Sequence, residues 1–315
     1  MKIVLAALLC VLSLPAWGQY PSKPIRLVVP FPAGSATDTI TRVLAQSVSQ
    51  SIGQTVVVEN KAGADGAIAA AEVAKSPPDG YTLIMATNSP MSAVPAMKKS
   101  PPYDPVADFT PITDIGRYSF FIVVHPSVPA KTLNELIAYA RSNPGKLNYA
   151  TGNTTGIVST AYFATLAKIQ LVHVPYKGEP QAMTDLVAGR VQLMFASSST
   201  AVPQVREGKL RAIVTTLGKR SHLLPEVPTI GEAGMPQFSI TSWAGLFGPA
   251  KMPREVVERL NKEFVAAMGR ADVQAAMEKQ AFALSPSSPE KLAAFVKEQM
   301  ESYRRILRAA GVEPD

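Results

Sequence analysis

Arg26-Leu-Val-Val-Pro-Phe-Pro-Ala-Gly-Ser-Ala-Thr-Asp-Thr-Ile-Thr-Arg-Val-Leu44 is the stretch whose reading decides the fold. Ile25 to Val29 is a short β-branched apolar run of the kind buried on both faces of a sheet. Pro30-Phe31-Pro32-Ala33-Gly34 stops it with rigid and permissive residues in close order. Ser35, Thr37 and Asp38 carry side-chain oxygens of the kind that cap helices, and Ile40, Val43, Leu44 and Val48 follow at helical spacing. Strand, small-residue loop and helix N-terminus in that order aim unpaired backbone N–H groups and a positive dipole end at one spot. An anion fits there.

The same grammar recurs in the second half. Leu147-Asn-Tyr-Ala150 reads as a strand, Thr151-Gly-Asn-Thr-Thr-Gly156 as a loop and Ile157 to Ala167 as a helix. Two polar, Gly-containing junctions in separate halves point to one ligand held between two lobes. Between and after them, strand and helix patterns alternate. Strands are expected at 55–59, 81–86, 120–125, 171–174, 191–195 and 210–216, and helices at 67–75, 132–142 and 180–188. The alternation is that of doubly wound α/β sheets, in which ligands bind at the carboxyl ends of strands. Ser35, Thr37, Asn88 and Ser89 gather at that edge. Ser239 to Pro249 reads as a strand crossing back to the first lobe, with helices at 254–268, 272–280 and 290–310 behind it.

Lys2, the apolar run Ile3 to Leu14 and the small residues Ala16 and Gly18 describe a secretory signal peptide over residues 1–18. The run is too short to span a membrane. Its removal would take away Cys10, the chain's one cysteine, leaving an exported protein without thiol chemistry. At 315 residues the chain suggests two lobes, here 19–124 with 243–315 and then 125–242. The formal net charge is +7 with the basic residues dispersed, which excludes a concentrated nucleic-acid patch and favours anionic small molecules.

The chemistry of catalysis is missing. There is no nucleophile elbow around Ser35, no Walker loop, no dinucleotide fingerprint and no clustered metal-ligand set. His125 and His173 sit at strand ends among valines, where a satisfied structural histidine is the ordinary case. No enzyme, cofactor or metal is expected. The bland readings of the favoured residues are equally concrete: Asp38 as a cap, Gly34 and Gly152 as turn formers, Tyr176 as lobe core with a wet hydroxyl, Trp243 as packing that also borders the ligand, and Lys61 and Lys177 as solvated amines.

Tyr20-Pro-Ser-Lys-Pro-Ile-Arg-Leu-Val-Val-Pro-Phe-Pro-Ala-Gly34 with Asp38 resembles the start of mature Bug-type proteins, the periplasmic solute-binding components of tripartite tricarboxylate transporters. Val57-Val-Glu-Asn60, Pro78-Asp-Gly-Tyr-Thr-Leu83, Pro102-Tyr-Asp-Pro105, Asn143-Pro-Gly-Lys-Leu-Asn-Tyr149, His173-Val-Pro-Tyr-Lys-Gly178, Gly208-Lys-Leu-Arg-Ala212 and Leu224-Pro-Glu-Val-Pro-Thr229 continue the likeness along essentially the whole mature chain.

The resemblance implies a two-lobed, Venus-flytrap fold with two chain crossings, acting as a monomer in the periplasm. It implies a small organic carboxylate held by backbone amides, hydroxyls and water, and delivery to membrane permease subunits. Presentation of the ligand to a membrane signalling partner is the alternative role. Carried onto this chain, the site comprises Phe31, Ala33, Gly34, Ser35, Thr37 and Asp38 from the first loop, Asn88 and Ser89 after the third strand, and Thr151, Gly152, Thr154, Thr155 and Gly156 from the second lobe, with Tyr176 and Ala196 nearby. Two departures from the family pattern matter. Ser35 stands where many members have a second glycine, and Ala196 follows Phe195 where many have an aspartate. Losing that carboxylate points away from amino-acid ligands and toward a purely acidic or aromatic carboxylate.

Overall fold

The apolar run opens the chain as β1 (Ile25–Val29), and the computed structural model describes residues 20–238, 240, 242–309 and 314. The expected signal peptide lies outside them. β1 lies one strand in from the edge of a six-stranded sheet of order β11-β4-β10-β3-β1-β2, with β11 at Phe282–Leu284, and pairs in parallel with β2 (Val56–Asn60) and β3 (Thr82–Thr87). α1 (Ala36–Ile52) buries Ile40, Leu44, Val48 and Ile52, four residues apart, as the sequence spacing requires. One face of this sheet is covered by α1, α8 (Arg254–Met268) and α9 (Ala271–Lys279). The other is covered by α2 (Ala67–Ala74) and α10 (Pro289–Ala309), which buries Leu292, Val296 and Met300.

The second lobe is a five-stranded sheet of order β7-β6-β8-β5-β9. β6 (Asn148–Thr151) runs parallel to β7 (Val172–Pro175) and β8 (Leu193–Ser197), and β5 (Phe120–Val124) runs antiparallel to β8 and β9 (Arg211–Thr215). α4 (Leu133–Ser142) and α5 (Thr154–Ala167) pack on one face, α6 (Glu179–Val187) and α7 (Ser198–Arg206) on the other. Each lobe is thus an α/β sheet with helices on both sides.

Neither sheet is wholly parallel, and the strands on the lobe crossings all make antiparallel pairs. β4 (Phe109–Tyr118) and β10 (Trp243–Pro249) pair with each other in the first sheet, and β5 carries the chain into the second. The chain passes from the first sheet to the second at Ser119, between β4 and β5, five residues before the expected division at 124/125. The two strands are almost continuous, so the apolar pattern carries no mark of where one sheet gives way to the other. β4 itself was not anticipated, because Pro111, Asp114 and Gly116 interrupt its alternation. The two crossings lie side by side, with Tyr118 N–H donating to the Ser242 carbonyl at 3.0 Å.

At the first junction Ser35 is the N-cap of α1, its hydroxyl accepting from Asp38 N–H at 3.3 Å. Asp38 reaches back to accept from Gly34 N–H at 3.0 Å and from Asn60 Nδ2 at 2.8 Å, and it accepts from Arg42 Nε at 2.9 Å. Burial opposes ionisation of Asp38, but the bonds from Arg42, Gly34 and Asn60 outweigh it and hold the carboxyl below its ordinary range. Gly34 has φ +79°, and a side chain there would meet nothing within 4 Å. The turn needs this glycine for its backbone, not for space. Gly34→Val is therefore expected to lower the melting temperature by an amount equivalent to roughly 1–2 kcal/mol, the strain of a left-handed non-glycine residue. Thermal denaturation of the variant checks it, and an unchanged midpoint would contradict the turn role.

Candidate functional site

The N-termini of α1 and α5 face each other across the interlobe cleft, around a cavity of about 30 Å³. Phe31, Ser35, Ala36 and Thr37 line it from the first junction, and Thr87, Asn88 and Ser89 from the end of β3. Gly152, Asn153 and Thr155 come from the second junction, Glu179 from α6, and Tyr118, Phe120 and Ser242 from the crossings. A shallower cleft of about 600 Å³ adjoins it through Phe31, Pro32 and Gly152 and is lined further by Asp65, Tyr176 and Lys177.

The backbone N–H groups of Ala36 and Thr37, in the first turn of α1, bond to no acceptor among the described residues. They are the orphan donors every helix start leaves, here turned into a cavity beside the positive end of a 17-residue helix. Opposite them Asn153 caps α5, its Oδ1 accepting from Gly156 N–H at 2.9 Å. The Thr155 N–H donates to Ser89 Oγ at 3.2 Å, and the Ser89 and Thr155 hydroxyls share a 2.8 Å hydrogen bond across the cleft. Asn88 joins more partners than any other lining residue. Its Nδ2 donates to Thr155 Oγ1 at 2.8 Å and to the Tyr303 hydroxyl of α10, and its Oδ1 accepts from Ser242 Oγ at 3.2 Å and Trp243 N–H at 3.3 Å. No arginine, lysine or histidine lines the cavity. Whatever positive potential it has comes from N–H and O–H dipoles.

Glu179, the first residue of α6 and only 6 % exposed, is the one charged side chain in the wall. Its Oε1 accepts from Ser197 N–H at 2.6 Å, Ser197 Oγ at 2.7 Å and Thr200 Oγ1 at 2.5 Å. Burial raises its proton affinity above the ordinary carboxylate range, and the three donors counter this only in part. Gly152 makes the arrangement possible: a Cβ there would sit 2.2 Å from the Glu179 nitrogen. Tyr118 faces Glu179 from the other lobe; burial and this neighbouring carboxylate raise its proton affinity, and its hydroxyl donates to Thr37 Oγ1 at 2.9 Å.

Of the residues singled out in the sequence, Phe31, Ser35, Thr37, Asn88, Ser89, Gly152 and Thr155 come together at the cavity, and Tyr176 borders the outer cleft with its hydroxyl donating to Asp185. Ala33 and Gly34 are exposed on the outside of the turn, and Asp38 spends its oxygens on the junction. Thr151 is bonded to His173, and Gly156 is the third residue of α5, one past the lining residue Thr155. Thr154 is buried with its hydroxyl unpartnered and stands outside the cavity lining. Ala196 packs in the apolar core under α6 and α7. Trp243 is wholly buried against Phe247 and Phe295 and borders no ligand space, and Lys61 is ion-paired with Glu72 rather than free in solvent.

Sequence reasoning missed Asn153, Tyr118, Phe120, Ser242 and Glu179. Asn153 was legible as a cap. The expected start of α6 at Pro180 left Glu179 in the loop, although an acidic residue before a proline is an ordinary helix start. Tyr118, Phe120 and Ser242 reach the cavity only because the crossings run beneath it.

The architecture and the site define a two-lobed periplasmic-binding-protein fold. A family model described as the tripartite tricarboxylate transporter family receptor matches residues 40–312. The chain belongs to this family, whose members are solute-binding receptors and not enzymes. Protein BugT of Bordetella pertussis is 30 % identical over 297 residues, covering 93 % of this chain and 91 % of that protein. A protein from the tcbD-tcbE intergenic region of Pseudomonas sp. strain P51 is 39 % identical over 292 residues, covering 91 % and 86 %. Among solved structures, R. palustris Rpa4515 with adipate superposes with a TM-score of 0.90 at 33 % identity, covering 94 % of this chain and 100 % of that one. MatC from Rhodopseudomonas palustris with bound malate gives 0.86 at 31 %, covering 91 % and 100 %. The periplasmic binding protein BugD gives 0.89 at 33 %, covering 94 % and 100 %.

The raised proton affinity of Glu179 has a stability consequence. Above the ordinary carboxylate range the unfolded chain has released its proton while the folded protein still holds it, so stability falls as pH rises through that window and stays lower beyond it. Glu179→Gln is expected to melt higher than the wild type at neutral pH, with the gap closing as pH falls to about 4, where both states of the wild type are protonated. Melting curves of both proteins across that range check it. A gap that widens on acidification would reverse the sign.

Proposed function

We propose that the protein is a periplasmic receptor that closes its two lobes on a small organic carboxylate and delivers it to the membrane permease subunits of a tripartite transporter. The observation that carries this reading is the pair of unbonded N–H groups of Ala36 and Thr37 at the positive end of α1, in a cavity without a cationic side chain. Such a site suits a diffuse anion held by dipoles, and a carboxylate matches two adjacent N–H donors geometrically. The relatives solved with adipate and with malate support the ligand class. Family membership supports the transport role and the periplasmic location.

The lobes touch through Ser89, Asn88 and Thr155, so a ligand larger than a water must part these hydroxyls on entry and take their bonds on closure. Charge-assisted bonds of this kind contribute about 1.5–3 kcal/mol each, so a few suffice for micromolar affinity after the cost of ordering.

Calorimetry against mono-, di- and tricarboxylates and aromatic acids is expected to find at least one that binds, and neutral sugars and simple amines are expected not to. Thr155→Ala is expected to weaken that acid by about 0.5–1.5 kcal/mol. Ser35→Ala removes a cap as well and is expected to lose about 1 kcal/mol of stability besides affinity. Full affinity in both variants would place the ligand elsewhere.

A further inference from the structure

We infer that Glu179 selects the ligand's second polar group: its free carboxylate oxygen accepts from a hydroxyl or ammonium on the ligand, so that hydroxy- and amino-substituted carboxylates are the preferred class. This rests on the carboxylate reading above and narrows it.

The argument begins with an imbalance at one side chain. A carboxylate offers about four acceptor positions over two oxygens. All three of Glu179's hydrogen bonds fall on Oε1, and Oε2 accepts from none of the described residues. Among the described residues no lysine, arginine or histidine forms an ion pair with it. The side chain nonetheless belongs to the cavity wall, and the three donors and its place in the first turn of α6 partly offset the burial that raises its proton affinity. Oε2 is not among the sealed unpartnered polar atoms, so on a side chain that lines the cavity it stays open to a donor from a ligand.

The other groups around it do not supply that donor. Tyr118, the ionisable side chain facing it from β4, gives its proton to Thr37 Oγ1. Ser197 and Thr200 are already spent on Oε1, and Ser89, Thr155 and Asn88 bond to one another. Water can serve Oε2 while the cavity is empty; once a bound ligand displaces it, the ligand is the remaining source.

The ligand's own charge sharpens the selection. The N–H groups at the start of α1 draw a carboxylate into a space that Glu179 also lines, and two like charges in one small cavity repel appreciably even at an effective dielectric constant of about 20. A hydroxyl or ammonium placed between them turns that repulsion into a hydrogen bond. An unsubstituted acid leaves Oε2 unsatisfied and the repulsion in full. A site built to bond a polar substituent discriminates strongly against the analogue that lacks it, because the buried partner is left unpaired. The same geometry revises the expectation drawn from Ala196. The strand carries no carboxylate there, but α6 brings one to the neighbouring residue, Ser197, so hydroxy and amino acids return to the ligand class.

The test uses matched pairs, malate and succinate, lactate and propionate, phenyllactate and phenylpropionate, with aspartate added to the first. Binding of each is measured by calorimetry to the wild type and to Glu179→Gln, with apo melting curves to establish that the variant is folded. The wild type is expected to favour the substituted member of the pair it binds by about tenfold or more. Glutamine can turn its amide N–H toward the cavity, so in the variant the unsubstituted acid gains and the preference falls to about threefold or less. Equal wild-type affinity within the bound pair would overturn the assignment, and so would a preference that survives unchanged in Glu179→Gln. Uptake of one proton when the unsubstituted acid binds as tightly would overturn it too, showing Glu179 to act as a neutral acid. Failure of the wild type to bind any acid of the set, while it binds a sugar or an amine, would instead overturn the carboxylate reading and this assignment with it.

Discussion

Asn88 is the residue on which the meeting of the two lobes depends. It stands at the end of β3, and its amide bonds to Thr155 of the second lobe, to Tyr303 of the C-terminal helix and to Ser242 and Trp243 where the chain crosses back. A single planar amide has two donors and one oxygen with two lone pairs, and all four are committed here. Because the group is buried, any partner that leaves must be replaced. A ligand that enters the cleft therefore competes with protein bonds and not with bulk water. Exchange of one satisfied network for another is what lets a receptor open and close at small net cost.

The hinge is suited to this exchange. The two crossings run side by side and are tied by the Tyr118–Ser242 backbone bond, while α10 packs on the first lobe and brings Tyr303 to α5. Each lobe keeps its own two helical layers on either side of these adjacent strands. The apolar cluster that includes Tyr118 and Phe120 continues from one lobe into the other, and it gives the hinge a packed floor.

Charge is distributed unevenly in the cleft. Its positive potential comes from helix termini and hydroxyls, and the one acidic or basic side chain in the wall is the carboxyl of Glu179. Dipoles fixed by the backbone need no counter-ion and do not shield one another as a lysine and a glutamate would. Gly152 makes this layout sterically possible, because only the absence of a Cβ lets the β6–α5 loop lie against the start of α6. The ion pairs of the protein lie elsewhere, as in the Arg26, Glu59, Glu72 and Lys61 group beside β2.

The sequence by itself determined the local pieces. The apolar run at 25–29 ends at two prolines and a glycine, and Ser35 and Asp38 mark the start of α1, because those residues have few other conformations or partners. The long ordered motifs pointed to the family, and the repeat of strand, loop and helix placed both cradles. What only the tertiary structure decided is which groups face the ligand. Asp38 and Ser35 sit three residues apart at one helix start, yet one is turned to the turn and Asn60, the other to the cavity. Ala196 and Glu179 are 17 positions apart in the chain, and their exchange of roles depends on α6 packing against the end of β8. The crossing at Ser119 lies inside a nearly continuous apolar run, where one strand of hydrophobic residues looks like the next. Local sequence sets backbone conformation and periodicity, but the direction of a polar side chain is set by partners that are distant in sequence, and those exist only once the two sheets have packed.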